Sequence, residues 1–98
     1  MIPKGGMKNI IKKAQELQSQ MEKAQEELNL IEIEGQAGGG MITAKVNGHK
    51  ELICLDIEPE ILMEDKEMIE DLIVAAVNQA LQNAGKAAEE KMSSITGG

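Results

Sequence analysis

The sequence predicts an α+β fold of order α-β-β-β-α: a long helix, a three-stranded antiparallel sheet and a second long helix, the helices projecting from the sheet as a hairpin. Three observations carry this reading. Apolar residues from Met7 to Ile31 recur in alternating steps of three and four, the seam of a helix with one packed face. Between Ile31 and Ile57 the spacing falls to two, in three runs separated by glycines and by Asn47-Gly48, the pattern of strands with one wet face. From Ile69 to Ala88 helical spacing returns. With 98 residues, 42 % of them hydrophobic and 28 % charged, a single domain over residues 1–98 is expected. A domain of this size has a modest core and often gains stability from a partner chain.

Pro3 and Gly5-Gly6 mark residues 1–6 as a flexible arm. The first helix is expected from about Lys8 to Asn29, with Met7, Ile10, Ala14, Leu17, Met21, Ala24, Leu28 and Ile31 along its seam and good helix formers between them. In the first strand, Ile31 and Ile33 alternate with Glu32 and Glu34; in the second, Ile42, Ala44 and Val46 share a face. Asn47-Gly48 signals a tight hairpin because both residues tolerate positive φ. Ile53, Leu55 and Ile57 are expected on one face of the third strand, which Pro59 ends. Asp65 suits the N-cap of the second helix. That helix carries a broad apolar face narrowing to an alanine stripe, reaches about Met92, and leaves 93–98 as a tail. Gly85 is a candidate kink. Paired as an antiparallel hairpin, the helices would bring the start of the first beside the end of the second.

Phe, Tyr and Trp are absent, so the core must come from Ile, Leu, Val, Ala and seven Met. One Cys and one His cannot make a zinc site, and no metal or cofactor is expected. A lone cysteine fits a reducing, cytoplasmic setting. No apolar run has the length of a membrane span, and the N-terminus lacks the apolar stretch of a signal peptide. A soluble intracellular protein without a membrane partner is the expectation.

Catalytic motifs fail on inspection. Gly35 and Gly40 have Walker A spacing, but Met41 and Ile42 stand where Lys and Ser/Thr would be needed. The stretch also leads into a strand rather than a helix N-terminus, so it reads as a hairpin connection. His49 has no neighbouring nucleophile and reads as a solvated turn residue. Cys54, opposite Ile53, Leu55 and Ile57, reads as a small, partly buried filler. Asp56, Glu58, Glu60, Glu64 and Asp65 form an acidic run without the EF-hand pattern. No nucleophile–base or acid–base pair stands out; neither an enzyme nor a small-molecule substrate is expected.

The charge distribution is the informative feature. The net charge is −7, and all ten bases are Lys. Residues 1–15 hold four Lys and no acid; the other bases and all 17 acids lie beyond. Basic residues at a helix N-terminus oppose the macrodipole, so Lys8, Lys12 and Lys13 are not placed for the stability of their own helix. A basic tip more than a Debye length (about 8–10 Å) from the acidic body can bind an anion independently of it. Lysines contact phosphates and carry little sequence information. Without Arg there is no bidentate guanine readout, and without aromatics no stacking platform for single strands. Double-stranded DNA held with little sequence preference fits best.

Four stretches taken together, "KGGMKNIIKKAQELQSQMEKAQEEL", "EGQAGGGMITAKVNG", "DIEPEIL" and "EDKEMIEDLIVAAVNQAL", resemble the YbaB/EbfC family of bacterial nucleoid-associated proteins across nearly the whole chain. The resemblance implies an α-β-β-β-α homodimer formed through the sheet region, helices protruding like tweezers, DNA as partner and the nucleoid as location. Carried over to this sequence, it makes Lys4, Lys8, Lys12 and Lys13 the DNA-contacting candidates, with Lys86 and Lys91 at the end of the second helix as weaker ones. The competing expectation is a protein-interaction module that seats a partner helix on the first helix's seam and recruits a basic protein through the acidic sheet end.

Overall fold

The computed structural model describes residues 4–96. It holds α1 (Lys4–Leu30), strands β1 (Ile33–Ala37), β2 (Ile42–Val46) and β3 (Leu52–Ile57), a short 3-10 turn (Pro59–Met63) and α2 (Lys66–Thr96). The strands form one antiparallel sheet of order β1-β2-β3. Both helices run further than their sequence signals suggest. α1 takes in Lys4, Gly5 and Gly6, so of the expected arm only residues 1–3 remain, and these lie outside the described residues. α2 continues through the expected tail to Thr96, where polar side chains bond back to the preceding turn. Ser94 Oγ donates to the Lys91 carbonyl at 2.7 Å and Thr96 Oγ1 to that of Met92 at 3.2 Å. Residues 97 and 98 lie outside the described residues. Asp65 caps α2 as expected, its carboxylate accepting from the Met68 N–H at 2.8 Å.

The core lies between β2 and α2. Ile42, Ala44 and Val46 on one face of β2 are fully buried, as are Ala76, Ala80 and Ala84 of α2. The alanine stripe lets the helix axis lie close to the sheet, and Gly35 of β1 makes that approach possible. A Cβ on Gly35 would stand 2.2 Å from the Ala80 nitrogen and 2.4 Å from the Ala76 carbonyl oxygen. Gly35 is therefore a packing residue within a strand, not part of the glycine joint. The turn itself is Gly38-Gly39-Gly40, with φ of 65°, 67° and 92°, a backbone only glycine adopts three times in succession without strain.

The β2–β3 hairpin departs from its sequence signal in an informative way. The positive φ falls on Lys50, at 65°. Gly48 is required instead by close approach, since its Cβ would lie 2.6 Å from the Leu28 carbonyl oxygen. Its N–H donates to that oxygen at 2.8 Å, occupying one of the end carbonyls that α1 cannot satisfy itself. Asn47, 7 % exposed, organises the turn. Its Oδ1 accepts from the N–H groups of His49 and Glu51, and its Nδ2 donates to Glu51 and Asn29. Far from being merely solvated, His49 reaches back to α1 with Nε2 2.8 Å from the Gln25 carbonyl oxygen. The turn thus fastens the end of α1 to the sheet.

Two strands differ from expectation. β1 begins at Ile33, leaving Ile31 outside it. In β3, Val46 pairs with Leu52 and Lys45 with Cys54, so Ile53 is an extra residue in the ladder. Such a bulge breaks the alternation, and Ile53 is 48 % exposed. Leu55 and Ile57 stay opposite the buried Ala44 and Ile42. Cys54 pairs with Lys45 on the other face and is exposed, not a buried filler.

The outer edge of β1 is covered by α2. The Gln36 N–H donates to Gln79 Oε1 at 2.6 Å, and Asn83 Nδ2 donates to the Glu34 carbonyl at 3.0 Å. These side chains take the positions of a neighbouring strand.

Candidate nucleic-acid interface

The helices form the expected antiparallel hairpin, but its arms are unequal. Along α2, Ala76 and Ala80 lie over Gly35, and Asn83 reaches Glu34. Lys91 meets Glu27, and Ser94 and Ile95 border a groove with Gln20 and Lys23. α2 therefore lies beside only about the last two-fifths of α1. Among the described residues nothing runs beside residues 4–19, which continue for about 24 Å at 1.5 Å per residue. The molecule is a rod, 73 Å long and 19 by 16 Å across.

Lys8, Lys12 and Lys13 are all exposed on this single-helix extension, and the backbone of Lys4 starts it. At about 100° per residue Lys8 and Lys12 share one stripe, and Lys13 lies about 100° further round. Lys86 and Lys91 do not join them. Lys91 forms an ion pair with Glu27, fourteen residues and about 21 Å of helix from Lys13. Lys86 is exposed beside Gly85. Gly85 lies inside an unbroken α2, with Lys50 Cε 3.6 Å from the place of its missing Cβ. The cationic tip consists of the first-helix lysines alone.

The Glu27–Lys91 pair joins the two helices where the hairpin ends. The Lys91 hydrogen bond, then its charge and more weakly that of Lys23, hold the Glu27 carboxyl below its ordinary value against slight desolvation. A depressed carboxylate contributes stability that is present above its unfolded-state value and lost as pH falls through the folded one. Acidification is therefore expected to release the end of α2 before the sheet unfolds. Protection of the amides of residues 91–96, taken relative to their intrinsic exchange rates, should fall as pH falls through the acid range. Lys91→Met should show the low protection already at neutral pH, with no acid-dependent step in it.

Among the described residues no group of three or more His, Cys, Asp or Glu side chains is placed to hold a metal ion. An open groove of about 510 Å³ follows the β1 edge, lined by Glu34, Gln36, Gln79 and Asn83 and by Gly39 and Gly40. Its amides are already engaged with the strand. No helix among the described residues is long and apolar enough to cross a membrane.

A model of the YbaB/EbfC DNA-binding family matches residues 4–98. The chain belongs to that family. Among YbaB/EbfC relatives, it is 50 % identical over 91 residues to a nucleoid-associated protein of Caldanaerobacter subterraneus subsp. tengcongensis, covering 92 % of this chain and 82 % of the other. It is 54 % identical over 95 residues to a nucleoid-associated protein of Clostridium perfringens, covering 96 % and 85 %. Its fold matches the crystal structure of an uncharacterized Helicobacter pylori protein with a TM-score of 0.61 and 26 % identity, over 85 % of this chain and 93 % of that one. Within the YbaB/EbfC fold, sequence reasoning missed the unequal arms, which separate Lys86 and Lys91 from the tip. It also missed Gln79 and Asn83, whose partners are 43 and 49 residues away.

Proposed function

We propose that the chain is a non-enzymatic, homodimeric nucleoid-associated protein of the cytoplasm that binds double-stranded DNA with little sequence specificity through the lysine tip of α1. One observation carries the reading. Residues 4–15 contain four lysines and no acid, and α1 carries them beyond the end of α2, away from the acidic sheet region. Among the described residues nothing pairs with Lys8, Lys12 or Lys13, and the placement of the four lysines opposes the helix macrodipole. Phosphate contact accounts for them. Lys86 and Lys91 are at most peripheral to such a contact.

A homodimer fits the uncovered apolar surface. α2 lies over β1 and β2 and scarcely reaches β3. Leu52 at the start of β3 is 52 % exposed, and Val74, on the flank of α2 turned away from β1, is 58 % exposed. A second copy seated along this trough would bury both, and it leaves the α1 tips projecting.

Titrating duplex binding against salt tests the proposal. The affinity should fall with a log–log slope of about −0.9 per phosphate engaged, and unrelated duplexes of equal length should give the same slope and similar affinity. Absence of any duplex binding at low salt, or tight binding to one sequence with a flat salt dependence, overturns it.

A further inference from the structure

The free half of α1 carries an apolar arc that phosphate contact does not use. Met7 is 55 % exposed, Ile10 58 %, Ile11 54 %, Leu17 40 % and Met21 40 %. With Ala14 they fall within an arc of about 120°. An isolated helix of this length is marginal in water, and packing of an apolar face normally stabilises it.

We propose that this arc is a self-recognition surface, occupied by α1 of a second copy running antiparallel. The spacing itself points to that occupant. When two copies cross between Gln15 and Glu16, each Ala14 faces the other copy's Leu17, and each Ile10 faces the other's Met21. Ala14 against Leu17 is a small–large layer and Ile10 against Met21 a large one, as seam spacing three-four allows in an antiparallel pair. The charges agree with the same register. Residues 4–13 hold four lysines and no acid, whereas residues 16–27 hold Glu16, Glu22, Glu26 and Glu27 against Lys23. Antiparallel pairing sets the basic end of each helix beside the acidic half of the other, with Lys8 next to the second copy's Glu22. The middle of the arc lies about 100° round α1 from the middle of the side that Gln20, Ala24 and Glu27 turn toward α2, with Leu17 at the edge nearest α2, which leaves room beside α2 for the second helix. This surface is separate from the α2–β3 trough and does not depend on the DNA reading, although Lys8 serves both.

The test uses the full chain without nucleic acid and reads, by sedimentation equilibrium, the association beyond the pair that the α2–β3 trough would form. Lys8→Glu places two like-charged pairs across the contact, as does Glu22→Lys, and each variant alone should associate about tenfold more weakly than the parent chain. An equimolar mixture of the two restores both attractive pairs and should recover the parental affinity. Intrahelical effects cannot imitate this recovery, because residues 8 and 22 are four turns apart in one helix. Leu17→Glu should abolish the association while retaining helical circular dichroism and duplex binding. A mixture no stronger than either variant alone overturns the proposal, as does a Leu17→Glu chain that associates like the parent.

Discussion

Gly35→Ala is expected to destabilise the protein by about 3 kcal/mol, near the upper end for overpacking by one methyl group. The added Cβ would meet backbone on all sides: the Ala80 nitrogen at 2.2 Å, the Ala76 oxygen at 2.4 Å and the Ala80 Cα at 2.8 Å. No side-chain rotation relieves such contacts. Either α2 moves off the sheet or β1 leaves it, and both separate the Ala76–Ala80–Ala84 stripe from Ile42 and Val46. Domains are stable by only roughly 5–15 kcal/mol, so a small chain loses much of its margin. The midpoint of urea unfolding should fall sharply at constant m-value. Gly39→Ala is the control. Nothing lies within 4 Å of its place for a Cβ, and only its φ of 67° resists the change, a cost of about 1–2 kcal/mol. Equal effects at the two positions would contradict the packing account of Gly35.

Replacing Lys4, Lys8, Lys12 and Lys13 by Glu is expected to lower duplex affinity by at least about a hundredfold at low salt, since it removes up to four counterion-releasing contacts and adds repulsion. The fold should survive, because the side chains of Lys8, Lys12 and Lys13 are exposed and make no hydrogen bond or ion pair among the described residues. Acids in the first turns also suit the macrodipole by a few tenths of a kcal/mol each, so the thermal midpoint should stay or rise slightly. The signature is lost binding with unimpaired stability. Lys91→Glu should show the reverse, because it breaks the pair with Glu27: a looser hairpin and nearly intact binding. Retained affinity in the fourfold variant would remove the α1 tip from the DNA surface.

The order of elements was legible in the sequence because it is written in local periodicity. Alternation in "ITAKV" and seam spacing in α1 depend on neighbours within a turn or two, and the Asp65 cap on three residues. What escaped depends on distance. Gly35 and Gly38 look alike in the chain, yet one is fixed by the approach of Ala80 and the other by its φ of 65°. Gly48 looked like a turn residue of positive φ, and its constraint comes from Leu28 in another element. The single extra residue at Ile53 left no mark in an unbroken apolar run. The unequal arms follow from how much of α2 the sheet uses. Residues 69–84 lie on the strands, leaving only twelve residues to meet α1. The composition of α2 does not disclose that allotment, so Lys86 and Lys91 stood as weaker candidates beside the tip lysines.

The amides of Gln79 and Asn83 decide how far the sheet can grow. A sheet with two open edges can join β1 of one molecule to β3 of the next, and that head-to-tail contact repeats without limit into a filament. Here the Gln36 N–H and Glu34 carbonyl are already taken within the chain, so the edge remaining for strand addition is β3. A β3 edge can only meet another β3 edge, which uses up both in one step. Two side chains on a helix thus confine strand-mediated assembly of this protein to a closed pair.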